Sequence, residues 1–154
     1  MAGKILNFLE KVGKTLESKQ VKVGFVDGVI HKNSDKTIAQ IAFENEYGIP
    51  EKNQPPRPFF RNAISGHSTE WADAVSRGIR AGTPTDLLME IVGAQIWGDV
   101  NQSISTLMKP ALSPVTIALR RARGNKSTKP LVDTGEMLGG LNYEVGDIEP
   151  SSDS

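Results

Sequence analysis

Four prolines within a short stretch set the strongest limit on how this chain can fold. In IPEKNQPPRPFFR they stand at Pro50, Pro55, Pro56 and Pro58. Proline fixes its own φ angle and has no amide hydrogen to donate, so neither a helix nor an inner strand can run through the stretch. We therefore expect a stiff, extended segment that ends in Phe59, Phe60 and Arg61.

Three elements are predicted before the prolines. Apolar residues at helical spacing predict an amphipathic helix over residues 3–18. The alternating stretch VKVGFV predicts a strand over residues 21–26, and Asp27-Gly28 favours a hairpin turn directly after it. The stretch TIAQIAFENEYG predicts a helix with Tyr47 near its apolar face and Gly48 as its end.

Helices are also predicted after the prolines. Apolar residues from Trp71 to Ile79 predict a helix near 68–80. Pro84 suits the first position of the next helix, which runs to about residue 105 and, as the most apolar one, belongs in the core. Ser113-Pro114 begins another helix, with serine as the cap and proline as the first helical residue.

The C-terminal part of the chain supplies a second strand. The alternating stretch LNYEV predicts a strand over 141–145. With strands near both ends and helices between them, the fold class is α+β, with a small antiparallel sheet packed by several helices. The length of 154 residues suits one domain, which we place at 1–146, and residues 147–154 are expected to be a disordered acidic tail.

The overall charge is balanced, with eighteen basic and eighteen acidic residues, so bulk charge indicates neither a nucleic-acid nor a membrane partner. Charged residues interrupt the first apolar run, which argues against a signal peptide or a membrane span. Cysteine is absent, which removes disulfides and thiolate chemistry and suits a reducing cytoplasm.

The layout of charge is uneven along the chain. Residues 100–132 contain no acidic residue but six basic ones, and residues 133–154 contain six acidic residues and no basic one. Opposite blocks of this kind pair either within a chain or between neighbouring copies of it.

The triplet Asp133-Thr134-Gly135 has two interpretations. It matches the active-site loop of an aspartic peptidase, in which two carboxylates share a proton, and one triplet per chain would then require a symmetric dimer. Little chain follows the triplet, however, and helical patterns dominate before it. Alternatively, Asp133 caps a short helical turn, with Glu136 three residues on completing an arrangement like a capping box.

Evidence for other chemistry is thin. His31 and His67 are the only histidines, and we assign both to the surface, without a ligand-like neighbour at helical spacing. The basic run from Lys109 to Lys129 lacks interleaved aromatic residues, which favours a solvated or partner-facing loop over nucleic-acid readout. We therefore expect no catalytic, cofactor or metal site.

Residue types that are enriched at interfaces do occur. Phenylalanine and arginine in a stiff segment make strong docking residues, because little entropy is lost on binding. Phe59 and Phe60 are equally consistent with the domain's own core, whereas Arg57 and Arg61 are expected to reach Glu44 or Glu46 of a neighbouring copy. The predicted interface residues are Arg57, Phe59, Phe60, Arg61, Arg120, Arg121 and Arg123.

Three pieces of the sequence together resemble a known family. They are VKVGFV followed by TIAQIAFENEYG, then PPRPFFR, and finally ALSPVTIALRRA with a basic loop and KPLVDTGEMLGGLNYEV. In this order they resemble the tail-completion or neck proteins, of the virion-morphogenesis type, of tailed bacteriophages. The resemblance covers residues 21–61 and 111–145, and the helical segment between them also fits. The first helix and the acidic tail have no match in the pattern.

The resemblance implies a structural role in the virion. Such proteins form homo-oligomeric rings, six- or twelve-fold, at the head–tail junction, and they join the connector to tail tube or terminator proteins. They are made in the host cytoplasm, act in the neck or tail, have no enzyme activity or cofactor, and let genomic DNA pass without sequence recognition. Two alternatives stay open: a dimeric aspartic-peptidase-like hydrolase using Asp133, and a binding module with a proline-rich ligand loop.

Overall fold

The computed structural model describes residues 19–25, 35–107, 110–131 and 136–148. The predicted helix over 3–18, the predicted turn at Asp27-Gly28 and the Asp133 triplet lie outside these residues. In chain order the elements are β1 (Lys19–Phe25), α1 (Ile38–Tyr47), a turn of 3-10 helix (Pro50–Lys52), α2 (Phe59–Arg80), α3 (Thr85–Thr106), α4 (Pro114–Ala122), α5 (Glu136–Gly140) and β2 (Leu141–Asp147).

The two strands pair with each other in an antiparallel sheet. The prediction of an α+β fold with a small antiparallel sheet and several helices is therefore confirmed. β1 begins at Lys19, two residues before the predicted strand, and β2 continues through Asp147, which had been assigned to the tail. At this end of the sheet the Nζ of Lys19 lies 2.8 Å from a carboxylate oxygen of Asp147 and 3.4 Å from one of Asp86.

The described chain forms two compact units, each assembled from separate stretches of sequence. The first unit contains residues 19–23, 69–96 and 143–148, and the second contains the remaining described residues. The boundaries of the predicted domain, 1–146, stay a prediction.

The core of the first unit lies on α3. Leu88, Met89 and Val92 are buried there. Burying each such side chain contributes roughly 1.5–3 kcal/mol. The partly buried side chains packed against them are Val21, Ala74, Val75, Ile79, Ile96 and Val145. Residues of both strands thus face the helix, as the alternating pattern predicts.

The core of the second unit is built around Phe59, which is almost fully buried. The ring of Phe25 meets that of Phe59 edge to face, with their centroids 6.1 Å apart. α1 packs against α5. Trp97 donates its indole hydrogen to the carbonyl of Leu141 at 2.9 Å. The other buried apolar residues of this unit are Ile38, Ala42, Ala63, Val100, Ile104, Leu107, Leu131, Met137 and Leu141.

Helix α1 has the ends that its sequence predicts. The Thr37 hydroxyl accepts from the amide of Gln40 as the N-cap, and the amide of Gly48 donates to Glu44 at the other end. Gly48 has φ of +76°, and a Cβ on it would lie 2.7 Å from the Gln54 carbonyl oxygen. Only glycine fits there without strain, because it tolerates both the positive φ and the close backbone approach.

Helix α3 differs from its prediction at two points. Pro84 precedes the helix, and its carbonyl accepts from the amide of Leu88, so the proline is the cap and not the first helical residue. Leu87 and Ile91 are exposed, although the helix was expected to belong in the core. The helix nevertheless contributes five buried residues to the core: Leu88, Met89, Val92, Val100 and Ile104.

Two glycines of α3 give a matched test of packing. A Cβ on Gly93 would lie 2.7 Å from the ring of Tyr143 and 3.1 Å from Val21, whereas a Cβ on Gly98 would have nothing within 4 Å. We expect Gly93→Ala to lower the free energy of unfolding by about 1–2 kcal/mol through overpacking. Gly98→Ala should raise it by up to about 1 kcal/mol, because alanine favours the helix. Urea denaturation measures both, and a stabilised Gly93→Ala would contradict the packing.

Candidate docking surface

Helix α2 begins earlier than the sequence predicts. The expected helix near 68–80 starts at Phe59, so the residues placed at the end of an extended segment form the first turn of a helix. The proline stretch also contains some regular structure. Pro50–Lys52 form one turn of 3-10 helix, and the flanking residues Ile49 and Gln54 pair in an isolated antiparallel β-bridge.

The early start of α2 depends on the carboxylate of Glu46. Its Oε2 accepts from the amide of Phe60 at 2.9 Å, and its Oε1 accepts from the amide of Arg61 at 3.0 Å. First-turn amides have no partner inside their own helix, and a carboxylate suits the positive end of the helix. Glu46, although it belongs to α1, therefore acts as the N-terminal cap of α2.

The same glutamate holds the side chain of Arg61. The Nε of Arg61 donates to Oε1 of Glu46 at 3.0 Å, and its Nη2 donates to the Glu46 carbonyl at 2.7 Å. The carboxylate is nearly buried, whereas more than half of the Arg61 side chain is exposed. A partly desolvated ion pair with this many hydrogen bonds is stronger than an open surface pair.

Two aromatic rings of α1 extend this surface. The guanidinium carbon of Arg61 lies 4.8 Å from the centroid of the Tyr47 ring, and the rings of Tyr47 and Phe43 are 4.8 Å apart. Phe43 is 63% exposed and Tyr47 is 54% exposed. We name Phe43, Tyr47 and Arg61 the aromatic patch. Its rings are largely in water, although their contacts fix their positions.

Two expectations need correction here. Tyr47 was placed near the apolar face of its helix, yet it is exposed, and the buried residues of α1 are Ile38, Ala42 and Glu46. Arg61 was expected to bind a glutamate of a neighbouring copy, and in the structure it binds Glu46 of its own chain.

Arg57 and Phe59 lie inside the chain. The Nε of Arg57 donates to the Pro110 carbonyl at 2.8 Å, and its Nη2 donates to that of Ala111 at 3.2 Å. Burial lowers the pKa of the Arg57 guanidinium, and the charge of Arg120 lowers it further. Since both Arg57 and Phe59 are buried, neither offers side-chain surface to a partner in this structure, and Phe60 is half-buried.

Of the three arginines at the end of α4, one is buried and two are exposed. Arg120 is only 5% exposed and donates to the carbonyls of Ser127, Lys129 and Pro130, at distances from 2.8 to 3.4 Å. It therefore holds the basic loop against its own helix. Arg121 and Arg123 are exposed.

One histidine has acidic neighbours that the sequence analysis missed. His67 is half-buried on α2, and its Nδ1 lies 3.8 Å from Oδ2 of Asp99 on α3. Glu70 also follows His67 by three residues on the same helix, so the expectation of no ligand-like neighbour at helical spacing is wrong. The contact with Asp99 is an ion pair only when the imidazole is protonated.

The surroundings of the Asp133 triplet are described on both sides. Leu131 before it is buried, and the short helix α5 begins directly after it at Glu136. A short helix over Glu136–Gly140 thus follows the triplet, whereas the predicted cap and the first residues of the predicted turn lie outside the described residues.

Comparison with known proteins adds no relative: no family model, no curated protein and no solved structure matches this chain. Among the helices that the structure describes, none has the length and apolar character needed to cross a bilayer.

The cap supplied by Glu46 can be tested against a neighbouring glutamate. We expect Glu46→Ala to lower the free energy of unfolding by about 2–4 kcal/mol, because two helix amides and a guanidinium lose their acceptor. Hydrogen exchange should become faster at the amides of Phe60 and Arg61. Glu44→Ala is the control, because its salt bridge to Lys36 is half-exposed, and it should cost about 1 kcal/mol or less. Equal losses in the two variants would argue against the cap.

Proposed function

We propose that this chain is a structural virion protein that forms a homo-oligomeric ring, six- or twelve-fold, at the head–tail junction of a tailed bacteriophage. In this role it acts as an adaptor between connector and tail proteins, and the genome passes through the ring. It works by presenting docking surfaces and not by catalysis.

The observation that carries the proposal is the aromatic patch. Tyrosine, phenylalanine and arginine are enriched in the energetic centres of interfaces. Side chains that are already held in place lose little conformational entropy when a partner binds. Here Glu46 holds Arg61, and Arg61 lies against Tyr47, so an exposed set of interface residues is fixed before docking.

The patch coincides with one of the two motif pairs that carry the sequence resemblance. The motif NEYG followed by PPRPFFR contains Glu46 and Tyr47 in its first half and Arg61 in its second. In the structure these two halves bind each other through the Glu46 cap. One part of the resemblance to neck and tail-completion proteins therefore contains the residues that build the aromatic patch.

The charge layout supports contacts between identical copies. Arg121 and Arg123 are exposed in the acid-free part of the chain, and Glu144 and Asp147 are exposed in the part that lacks basic residues. Two different surfaces on each copy that fit one another make a heterologous contact, and such a contact closes into a ring when the rotation between copies allows it.

The ring is tested directly by native mass spectrometry and negative-stain imaging of the purified protein. We expect one discrete assembly with cyclic symmetry. Replacing both Phe43 and Tyr47 by alanine should weaken assembly about tenfold or more, because an exposed hot-spot aromatic commonly contributes more than 1 kcal/mol. Neither ring is buried, so the monomer should keep its fold by circular dichroism.

The matched control is Leu87→Ala, which removes another exposed apolar side chain outside the patch. It should leave assembly unchanged. Equal weakening by the control would remove the assignment of the patch, and a wild-type chain that stays monomeric at high concentration would overturn the proposed function itself.

The hydrolase alternative has its own test at Asp133. If this aspartate caps a turn, Asp133→Asn should cost about 1 kcal/mol of stability at most and leave the ring intact. A peptidase assay of the wild-type protein and of this variant measures the other possibility. Proteolysis by the wild type that Asp133→Asn abolishes would favour the hydrolase over the adaptor.

A further inference from the structure

Helix α4 has an inverted distribution of polar and apolar side chains. Its one buried residue is an arginine, Arg120, whereas Val115 is 68% exposed and Leu119 is 61% exposed. A helix on the surface of a monomer normally turns its apolar side chains inward. The exposed apolar side of α4 therefore needs an explanation.

The cause of the inversion is the loop that follows the helix. Arg120 turns inward because the carbonyls of Ser127, Lys129 and Pro130 accept its guanidinium hydrogens. A charged group is buried only where hydrogen bonds replace its water. This anchoring fixes the rotation of α4 about its axis, and the opposite side of the helix then points away from the chain.

The outward side of α4 forms a regular stripe. Val115, Ala118, Leu119 and Ala122 occupy positions i, i+3, i+4 and i+7 of the helix, and all are exposed. Side chains at this spacing lie on one face of a helix, which is the pattern of helices that dock into an apolar groove. We name these four residues the α4 stripe.

The charges around the stripe indicate the chemistry of its partner. Arg121 and Arg123 are exposed beside it, as are Lys126 and Lys129 of the loop, and no acidic residue occurs between 100 and 132. A partner surface must therefore combine an apolar centre with negative charge, because interfaces are arranged with complementary potential.

The chain itself carries a surface of this kind at the end of β2. Ile148 is an exposed apolar residue, Asp147 beside it is an exposed acid, and Glu144 four residues before it is another. Asp147 already pairs with Lys19 of its own chain, so Glu144 is the acid we assign to the partner arginines.

We propose that the α4 stripe of one copy docks on the end of β2, residues 144–148, of a second copy. This inference rests on the proposed function and names one contact between neighbouring subunits, separate from the aromatic patch. Leu119 then lies against Ile148, and Arg121 or Arg123 faces Glu144. The contact joins two different surfaces, so each copy has one free stripe and one free strand end until the ring closes.

The absence of cysteine makes this contact testable by cross-linking. Leu119→Cys and Ile148→Cys are prepared separately, with one of them labelled with ¹⁵N, then mixed before assembly and oxidised. Because both positions are exposed, neither change should affect folding. Mass spectrometry of the covalent dimers is expected to show one labelled and one unlabelled chain, at a yield at least about tenfold above either variant alone. Leu119→Cys mixed with Leu87→Cys is the control pair.

Charge reversal supplies a second readout on the same cross-link. Adding Arg121→Glu to the Leu119→Cys chain should lower the yield up to about fivefold, the range of one exposed ion pair. Adding Glu144→Lys to the Ile148→Cys chain should then restore it. If Arg121→Glu leaves the yield unchanged, Arg123 is the residue that pairs with Glu144. Arg123→Glu must then lower the yield and Glu144→Lys must restore it, and failure of both arginines overturns the proposal.

The outcomes separate this inference from the proposed function. A ring that forms without the mixed cross-link, or with cross-links only between two Leu119→Cys chains, overturns the stripe-to-strand contact and leaves the ring in place. A protein that stays monomeric and gives no cross-link overturns both.

Discussion

The carboxylate of Glu46 is the group on which the aromatic patch depends. It lies at the end of α1 and binds the first amides of α2, so it fixes where α2 starts after the prolines. It also holds Arg61, whose guanidinium lies against Tyr47. One buried charged group thus sets a helix start and the position of an exposed side chain. Its desolvation cost is offset because three hydrogen bonds from α2 reach the carboxylate.

The sequence predicts those elements whose ends are determined locally. Thr37 and Gly48 delimit α1, and Ser113-Pro114 opens α4, because these caps act on amides only a few residues away. The start of α2 was missed because its cap comes from a residue fourteen positions upstream, on another helix. The prolines correctly predict that no long helix or strand runs through the segment before α2. They do not predict that the Glu46 carboxylate, on α1, caps the next helix.

For the candidate site, the sequence predicted the types of residue better than it predicted which individual residues are exposed. Arginine and phenylalanine mark this surface, as the sequence indicates, but Arg57 and Arg120 turn inward. Both donate to carbonyls of irregular backbone. Arg57 donates to Pro110 and Ala111, and Arg120 donates to the loop after α4. Whether an arginine meets such carbonyls depends on tertiary folding. The spacing of Val115 and Leu119 was visible in the sequence, whereas its outward direction was not.

The pairing of β1 with β2 has a consequence for synthesis of the chain. The side chain of Lys19 binds Asp147, and 128 positions separate these two residues. A ribosome adds roughly 5–20 residues per second, so β1 leaves the exit tunnel on the order of ten seconds before its partner strand. The helices between them form from local contacts during that interval. Sheet formation is therefore a late event in biogenesis, and β1 stays without its partner strand until then.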